Sequence, residues 1–189
     1  MNQFTYITTP GQYTQSIATA GIHVFYFHNI SGELVFDIAH AEAKVYLFGL
    51  FTGEKAEKYV VKTVQHHTVP GGYSELLIKG VFDGRSSLDY SGLIRIERNC
   101  NGSHAYQKNQ NLILSPQARV TSEPNLEILS PDVFCTHGST TGTVNKESIH
   151  YMMTRGLQES NAKKLIVEGF VEDLRSRVKV LVPEFVSLQ

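Results

Sequence analysis

Cys135 and His137 are the two side chains whose types and spacing best suit chemistry. They lie in the segment Asp132-Val133-Phe134-Cys135-Thr136-His137-Gly138, whose apolar and β-branched residues predict a strand. Because side chains alternate between the two faces of a strand, we expect the thiol and the imidazole to point the same way. Such donors suit zinc, iron or an iron-sulfur species better than magnesium or calcium. Two ligands are half of a tetrahedral metal site.

Other histidines allow a different interpretation. His66 and His67 are adjacent, so in a strand they face opposite sides and cannot both bind one metal from one face. Either of them, together with His137 and a carboxylate, would suit a transition metal on a cupin-like β-barrel. A metal-dependent enzyme therefore stays an alternative, and it predicts one tightly bound metal per chain. Cys100 has only His104 as a nearby donor, so we expect it to be structural.

Length, charge and cysteine content narrow the class of protein. The 189 residues predict one domain with a sizeable core. A formal net charge of -1 provides no basic field for nucleic acid, which is therefore not an expected partner. The two cysteines cannot form a disulfide framework and indicate a reducing compartment, so we expect a cytoplasmic protein.

The sequence predicts neither a leader segment nor a membrane span. No Lys or Arg precedes Lys44, so the basic start of a secretory signal is not expected. The apolar runs are far shorter than the roughly 20 residues that a membrane-spanning helix needs. Phosphate-binding and nucleophile-elbow motifs also do not occur in the sequence. We therefore expect a protein that is not an enzyme by itself and that does not enter membranes.

Short apolar runs between turn-forming residues predict an all-β region from about Gly21 to Thr140. The runs begin near Val45, Val60, Leu76, Leu93, Leu112 and Leu126. Such a series fits either an antiparallel sandwich or barrel, or a β-helix that stacks its strands turn upon turn. The β-helix is favoured because Asn111–Ser115 and Leu126–Ser130 look like successive copies of one turn.

A helical pattern follows the β region. Asn145 is a suitable N-cap for a first helix that Gly156 ends, and Ser160 is a suitable N-cap for a second helix that Pro183 ends. The second helix carries an apolar stripe made of Ala162, Leu165, Ile166, Gly169, Phe170, Leu174 and Val178. The sequence therefore predicts a β body over residues 1–143 and a helical segment over residues 144–189, which either caps the body or docks a partner.

Six short motifs occur in an order that resembles the SufB/SufD family of iron-sulfur cluster assembly proteins, and they are closer to SufD. The motifs are Lys79–Ser86, Gly92–Ile96, Ala105–Gln107 with Leu112–Ser115, Pro124–Ile128, Asp132–Gly138 and Arg155–Leu157. Each motif is weak alone, but together they cover the chain from about Tyr73 to Val178. Typical members of that family are much longer, so this chain is expected to be a piece or a reduced member.

The resemblance implies a right-handed parallel β-helix followed by a short C-terminal helical segment. It implies a non-catalytic scaffold that pairs through its β-helix with a SufB-like subunit or a second copy of itself. It implies that Cys135 and His137 face this interface and meet iron or an iron-sulfur cluster transiently, with no metal held by the isolated chain. It also implies that the C-terminal helices bind a SufC-type ATPase. The residues expected to contact it are Tyr151, Arg155, Leu165 and Phe170.

Overall fold

The structure is a computed structural model that describes residues 2–185. In this range the chain forms eleven β-strands followed by two α-helices. The strands are β1 (Gln3–Ile7), β2 (Gly11–Ile17), β3 (Gly21–His28), β4 (Gly32–Ile38), β5 (Ala43–Gly53), β6 (Lys58–His67), β7 (Tyr73–Phe82), β8 (Ser87–Ile96), β9 (Ser103–Ile113), β10 (Arg119–Ile128) and β11 (Val133–Thr143). The helices are α1 (Lys146–Thr154) and α2 (Glu159–Leu181).

The strands build a parallel β-solenoid. The odd-numbered strands form a six-stranded sheet, called sheet A, in the order β1-β3-β5-β7-β9-β11. The even-numbered strands form a five-stranded sheet, called sheet B, in the order β10-β8-β6-β4-β2. Each turn of the chain adds one strand to each sheet, and neighbouring strands run parallel. The predicted β-helix is confirmed, and a sandwich or barrel of antiparallel neighbours is wrong.

The register explains the spacing of the apolar runs. Lys44 pairs with Tyr73 and Ser103 pairs with Val133, so one turn of the solenoid takes about 30 residues. Successive runs in the sequence are about half a turn apart because each turn holds two strands. The segments Asn111–Ser115 and Leu126–Ser130 contain the ends of β9 and β10, which lie in different sheets. They are therefore consecutive half-turns, and the expectation that they repeat one turn was wrong.

The core lies in the space between the two sheets, called the lumen here. Alternate residues of each strand face it, as the period of a strand requires. Its first turns are packed with aromatic and branched side chains, for example Phe25, Phe36, Val45 and Leu47. Burial of such side chains is the main stabilising contribution to a domain of this size. Its middle and later turns carry many polar side chains, including Gln65, Gln107 and Asn109.

Helix α2 covers the outer face of sheet A. A second apolar cluster joins outward-facing residues such as Tyr26 and Leu77 to Leu174 and Val178 of the helix. Lys79 lies in the same interface, where its ammonium group donates to the Phe170 carbonyl at 2.8 Å and contacts Asp173 Oδ2 at 2.7 Å. The C-terminal half of α2 is thereby attached to the solenoid. The described helices include none that is long and apolar enough to cross a membrane.

Most helix boundaries agree with the sequence. The Asn145 side chain accepts hydrogen bonds from the backbone N–H groups of Glu147 and Ser148, at 2.7 and 3.1 Å, as an N-cap does. Gly156 follows the end of α1 with φ of +92°, a conformation that favours glycine. Pro183 lies just beyond α2, as expected. Ser160 is not the N-cap of α2, because the helix starts one residue earlier and Gln158 occupies the cap position.

Candidate functional site

Strand β11 places Cys135 and His137 at one end of the solenoid. This strand pairs with β9 alone, so its other edge has no neighbour among the described residues. Cys135 pairs with Ala105 and His137 pairs with Gln107 in the parallel register. Ala105 and Gln107 are buried in the lumen, so the two side chains of β11 continue the same inward row. The predicted strand and the shared face of the pair are therefore present in the structure.

Cys135 is half-buried at this end. It packs against a small apolar cluster formed by Ile94, Ile96, Cys100 and Ala105. Burial raises the pKa of the Cys135 thiol, and a hydrogen bond with the Ala105 backbone opposes that shift. A raised pKa keeps the thiol protonated near neutral pH, so binding of a metal or cluster must release a proton. Cys100 is fully buried in the same cluster, which agrees with the structural role expected for it.

His137 is exposed although it faces inward, because no further turn formed by residues 2–185 covers it. Its neighbour Gln107 in the turn beneath is buried. His137 also lies at the rim of a surface cavity of about 600 Å³ between sheet A and the end of α2, near Tyr106, Lys108 and Arg177. An exposed imidazole beside a half-buried thiol is open to a ligand that arrives from the end of the solenoid.

The two ends of the solenoid differ in how their apolar lumen residues are covered. In the first turn, Ile7 and Ile17 are 3% and 2% exposed. In the last turn, Leu126 and Ile128 pair with fully buried Ile94 and Ile96, yet they are 39% and 40% exposed. The end that carries Cys135 therefore has unpaired strand edges, uncovered apolar side chains and two soft donors together. We call this surface, formed by β10 and β11, the open end.

The histidines of the alternative metal site are not brought together. His66 lies on the outer face of sheet B, where its two ring nitrogens contact Asp37 at 2.8 Å and Glu97 at 3.1 Å. His67 is buried in the lumen, and its Nε2 contacts Ser74 Oγ at 2.8 Å. Within residues 2–185 no group of three or more His, Cys, Asp or Glu side chains is arranged to hold a metal ion. The cupin-like site is wrong because the parallel register separates these residues into the outside, the lumen and the open end.

The four residues predicted to contact a partner differ in exposure. Tyr151 and Leu165 are 61% and 49% exposed, and the Arg155 guanidinium lies 5.2 Å from the Tyr151 ring. Phe170 is partly buried against the apolar cluster beneath α2, and its ring lies 4.3 Å from Lys79 Nζ. Phe170 therefore already has an intramolecular contact, whereas the other three side chains are available at the surface.

A groove that the sequence did not indicate separates the helix pair from the solenoid. It has a volume of about 1250 Å³ and lies between α1, the first half of α2 and the turn after β9. Its lining combines apolar and charged side chains and includes Leu114, Ile149, Met153, Val167, Lys146 and Lys163. For α1 the sequence predicted the boundaries alone, so it gave no role to Ile149 or Met153. The opposite wall of the groove is the turn after β9. The sequence of this turn has no periodic pattern, so its position opposite the helices could not be predicted.

The fold and the open end define the class: a parallel β-solenoid with a soft-ligand pair on an unpaired edge strand and a helix pair on the outer face of one sheet. The family described as SUF system FeS cluster assembly, SufBD core domain, matches residues 25–170. The chain belongs to this family. The match reaches further towards the N-terminus than the motifs that begin near Tyr73.

Individual relatives agree with this assignment. An iron-sulfur cluster assembly SufBD family protein of Mycobacterium tuberculosis is 32% identical over 146 residues, which are 73% of this chain and 36% of that protein. The iron-sulfur cluster assembly protein SufD of Escherichia coli is 29% identical over 106 residues, 56% of this chain and 25% of that protein. A SufBD family protein of Synechocystis is 28% identical over 109 residues, 58% of this chain and 24% of that protein. The chain thus spans roughly a third or less of these relatives.

Proposed function

We propose that this protein is a non-catalytic, SufD-like partner subunit in cytoplasmic iron-sulfur cluster assembly. Its open end would pair with a SufB-like subunit or a second copy, and its helix pair would dock a SufC-type ATPase. Cys135 and His137 would contribute to a transient site for iron or a nascent cluster. The observation that carries the proposal is their position on β11, an edge strand whose lumen-facing side chains lack a covering turn.

The open end supports pairing through the solenoid. Edge strands with free N–H and C=O groups are templates for pairing with another chain, and soluble proteins normally cover or blunt them. Strand β11 bears neither Lys nor Pro, and Leu126 and Ile128 beside it are exposed. A partner laid on these edges would bury the apolar side chains and bring its own ligands to Cys135 and His137. In a site shared by two subunits, each subunit supplies only part of the ligands, as Cys135 and His137 would do here.

The helix pair supports docking of a second kind of partner. Tyr151 and Met153 of α1 and Leu165 of α2 are exposed apolar side chains, and Met153 lines the groove described above. Aromatic and apolar side chains of this kind are enriched at protein interfaces. Helix α1 begins three residues after the end of β11, and Thr143 of β11 lines the groove, so this surface adjoins the open end. Pairing and docking would use different side chains of the same subunit.

Substitution of the ligand pair tests the role in assembly. In a complex reconstituted with a SufB-like subunit and a SufC-type ATPase, Cys135→Ser and His137→Ala are each expected to slow cluster formation at least about tenfold. Thr136→Ala is the matched control, because Thr136 lies between them and points to the other face of β11. Cluster formation is followed by visible absorbance under anaerobic conditions. Wild-type rates for both ligand variants would contradict the proposed site.

Substitution on α2 tests the docking surface. Leu165→Glu places a charge on an exposed apolar position of α2 and is expected to abolish co-purification with the ATPase subunit. Val180→Glu is the control, because Val180 is 81% exposed near the other end of the same helix. Circular dichroism confirms that both variants keep their fold. Docking fails as a proposal if the Leu165 variant still retains the ATPase in full yield.

A further inference from the structure

The cavity of about 600 Å³ between sheet A and the end of α2 is built from elements that are far apart in the sequence. Its walls come from β7, β9 and β11 of sheet A and from the C-terminal half of α2. A volume of this size holds a small organic molecule, because ligand sites commonly have roughly 300–1,000 Å³. We call it the sheet A cavity. The residue types on its walls decide which molecule fits.

Gly138 of β11 lies on the cavity wall and has no structural need to be glycine. Its φ is outside the left-handed region that favours glycine, and an added Cβ atom would meet no heavy atom within 4 Å. Glycine in the interior of a strand weakens the strand, and it often marks a place where a ligand approaches the backbone closely. Gly138 pairs with Lys108, so the missing side chain leaves open space directly beside that lysine. The glycine therefore favours a ligand that reaches sheet A at this point.

Two cationic side chains converge on the cavity from different elements. Lys108 projects from the outer face of β9 and forms no ion pair with another residue of the range 2–185. Arg177 of α2 donates to Asp173 only through Nε, at 3.4 Å, so its two terminal nitrogen atoms have no hydrogen-bond partner among the described residues. Asp173 itself is held by the buried Lys79 ammonium group at 2.7 Å. The cavity thus offers an ammonium group and a guanidinium fork to an anion.

Glu75, which provides the one carboxylate on the described part of the wall, already has a partner. Tyr73 Oη donates to Glu75 Oε2 at 2.8 Å. Burial and this hydrogen bond raise the pKa of the Tyr73 hydroxyl, so that it stays protonated and continues to donate. Glu75 reduces the positive charge of Lys108 and Arg177 but does not cancel it. The wall therefore favours an anionic ligand over a cationic one.

Aromatic rings form the remaining part of the wall. The ring centroids of Tyr73 and Tyr106 are 5.9 Å apart, and Tyr46 continues the row at 5.6 Å from Tyr73. Such rings pack against planar groups. A phosphate monoester carries roughly 1.5–2 negative charges near pH 7 and accepts bidentate hydrogen bonds from arginine, so it suits two cations better than a carboxylate does. We propose that the sheet A cavity binds a small phosphate monoester that carries a planar ring, with the phosphate on Lys108 and Arg177 and the ring against Tyr106.

This site is separate from the proposed role in cluster assembly, because binding needs neither a partner subunit nor Cys135. It does adjoin the open end, since Thr136 and Gly138 of β11 line it. A partner strand added to β11 would extend the wall of the cavity. The test therefore uses the full chain alone, so that ligand binding and pairing are measured separately.

Isothermal titration calorimetry with four probes tests the class of ligand. Adenosine monophosphate and phenyl phosphate combine a ring with a phosphate monoester, whereas adenosine provides the ring alone and inorganic phosphate the charge alone. At least one of the two esters is expected to bind at least about tenfold more tightly than adenosine and inorganic phosphate. The tighter ester shows whether a nucleoside or a simple aryl group is preferred. Equal affinity for inorganic phosphate, or no binding of either ester at millimolar concentration, overturns the proposal.

A pair of glycine variants tests the place of binding. Gly138→Val fills the open space beside Lys108 and is expected to weaken binding of the tighter ester at least about tenfold. Gly142→Val is the matched control, because Gly142 lies on the same face of β11, has equally open space at its Cβ position and does not line the cavity. Circular dichroism confirms that both variants fold. Wild-type affinity of the Gly138 variant, or equal losses in the two variants, contradicts the site.

A pair of lysine variants tests the position of the phosphate. Lys108→Gln is expected to weaken binding of the ester at least about fivefold and to leave the weak binding of adenosine unchanged. Lys179→Gln is the control, because Lys179 is a half-exposed lysine of α2 that contacts Glu172 and lies outside the cavity lining. An ester that binds both lysine variants equally well does not place its phosphate on Lys108, and the proposal then fails.

Discussion

Cys135 and Cys100 share an apolar cluster but differ in access to solvent. Cys100 is 1% exposed, whereas Cys135 is half-buried beneath the uncovered end of the lumen. A thiol reagent is therefore expected to modify one thiol per native chain, and Cys135→Ser should remove that reaction. Because burial raises the pKa of both thiols, the thiolate fraction at neutral pH is small.

The pH dependence of this modification follows from the same shift. The rate at Cys135 should rise with pH and continue to rise beyond the pKa of an ordinary free thiol, as measured by absorbance with a chromogenic disulfide. Glutathione under identical conditions is the reference, since its thiol is fully solvated. Rapid modification of two thiols per folded chain, or a rate that levels off below that of the reference, would contradict the burial described for Cys100 and Cys135.

His67 predicts an acid-sensitive core. Burial, with a smaller effect of His66, lowers the pKa of His67 from 6.5 to about 4. The unfolded chain takes up a proton as the pH falls through 6.5, while the folded chain does so only near 4. Stability is therefore intact above pH 6.5 and is lost towards pH 4, by at most about 3 kcal/mol from this residue.

Urea unfolding at a series of pH values checks this loss. The wild-type chain should lose stability more steeply between pH 6.5 and 4 than His67→Gln, which cannot take up the proton. His150→Gln is the control for the loss of an imidazole, because His150 is exposed on α1. Parallel curves for the wild type and the His67 variant would show that the imidazole does not titrate differently in the folded state.

At the scale of elements, Lys79 and Asp173 attach α2 to sheet A. Lys79 is almost fully buried and Asp173 is about half-exposed, and the ammonium group holds the pKa of Asp173 below its usual value. Asp173→Ala would leave a buried ammonium without its carboxylate and is expected to cost about 3 kcal/mol. Lys79→Met leaves only a solvated carboxylate and should cost less, about 1 kcal/mol. Arg177→Gln, which removes an exposed pair with Asp173, should change stability by less than about 1 kcal/mol.

Denaturant unfolding of the three variants measures this order. If Asp173→Ala and Arg177→Gln lower the free energy of unfolding equally, the Asp173 carboxylate does not stabilise the buried Lys79 ammonium group. The same variants test the docking surface. Helix α2 packs on α1 and its first half borders the groove, whereas its second half is held by the contact between Lys79 and Asp173. Loss of the attachment should therefore increase hydrogen exchange along α2.

The sequence predicted well the elements that are determined by a single local property, either a helix cap or the alternation of apolar residues. The helix boundaries at Asn145 and Gly156 follow from capping chemistry, and the first strands follow from apolar alternation. The apolar runs that begin near Leu93, Leu112 and Leu126 lie in the middle or near the end of β8, β9 and β10. In β9 the preceding lumen positions include Gln107 and Asn109, so an apolar pattern could not reveal the start of that strand. The polar alternation of β9 is readable in the sequence, but only the register shows that it faces inward.

The placement of Cys135 and His137 on one face of a strand was predicted from their spacing, whereas their role as ligands stays a prediction. A two-residue offset in a strand is enough to place Cys135 and His137 on one side. Nothing local to these residues shows that β11 is an edge strand or that the lumen above it is uncovered. Those properties depend on strands that are 30 residues away in sequence, such as Ser103 opposite Val133. The groove beneath the helix pair is likewise a product of tertiary packing.

At the scale of the whole molecule, the open end predicts association that depends on its apolar side chains. Ile128→Lys is expected to abolish pairing, measured by sedimentation velocity of the chain alone and with a SufB-like subunit, while unfolding of the monomer changes little. Val60→Lys is the control, because Val60 is 61% exposed on the outer face of sheet B. If pairing survives the Ile128 substitution but is lost with the Val60 substitution, the interface lies on the outer face of sheet B and not at the open end.

The unequal ends of the solenoid also bear on polymerisation. A repeat protein whose two ends could each bind another copy would add copies head to tail and grow into filaments, as open heterologous contacts do. Here β1 and β2 are edge strands as well, but Ile7 and Ile17 of their turn are covered, so this turn offers the exposed Leu126 and Ile128 fewer apolar side chains to contact. Association driven by Leu126 and Ile128 would therefore join two open ends and stop at a closed pair.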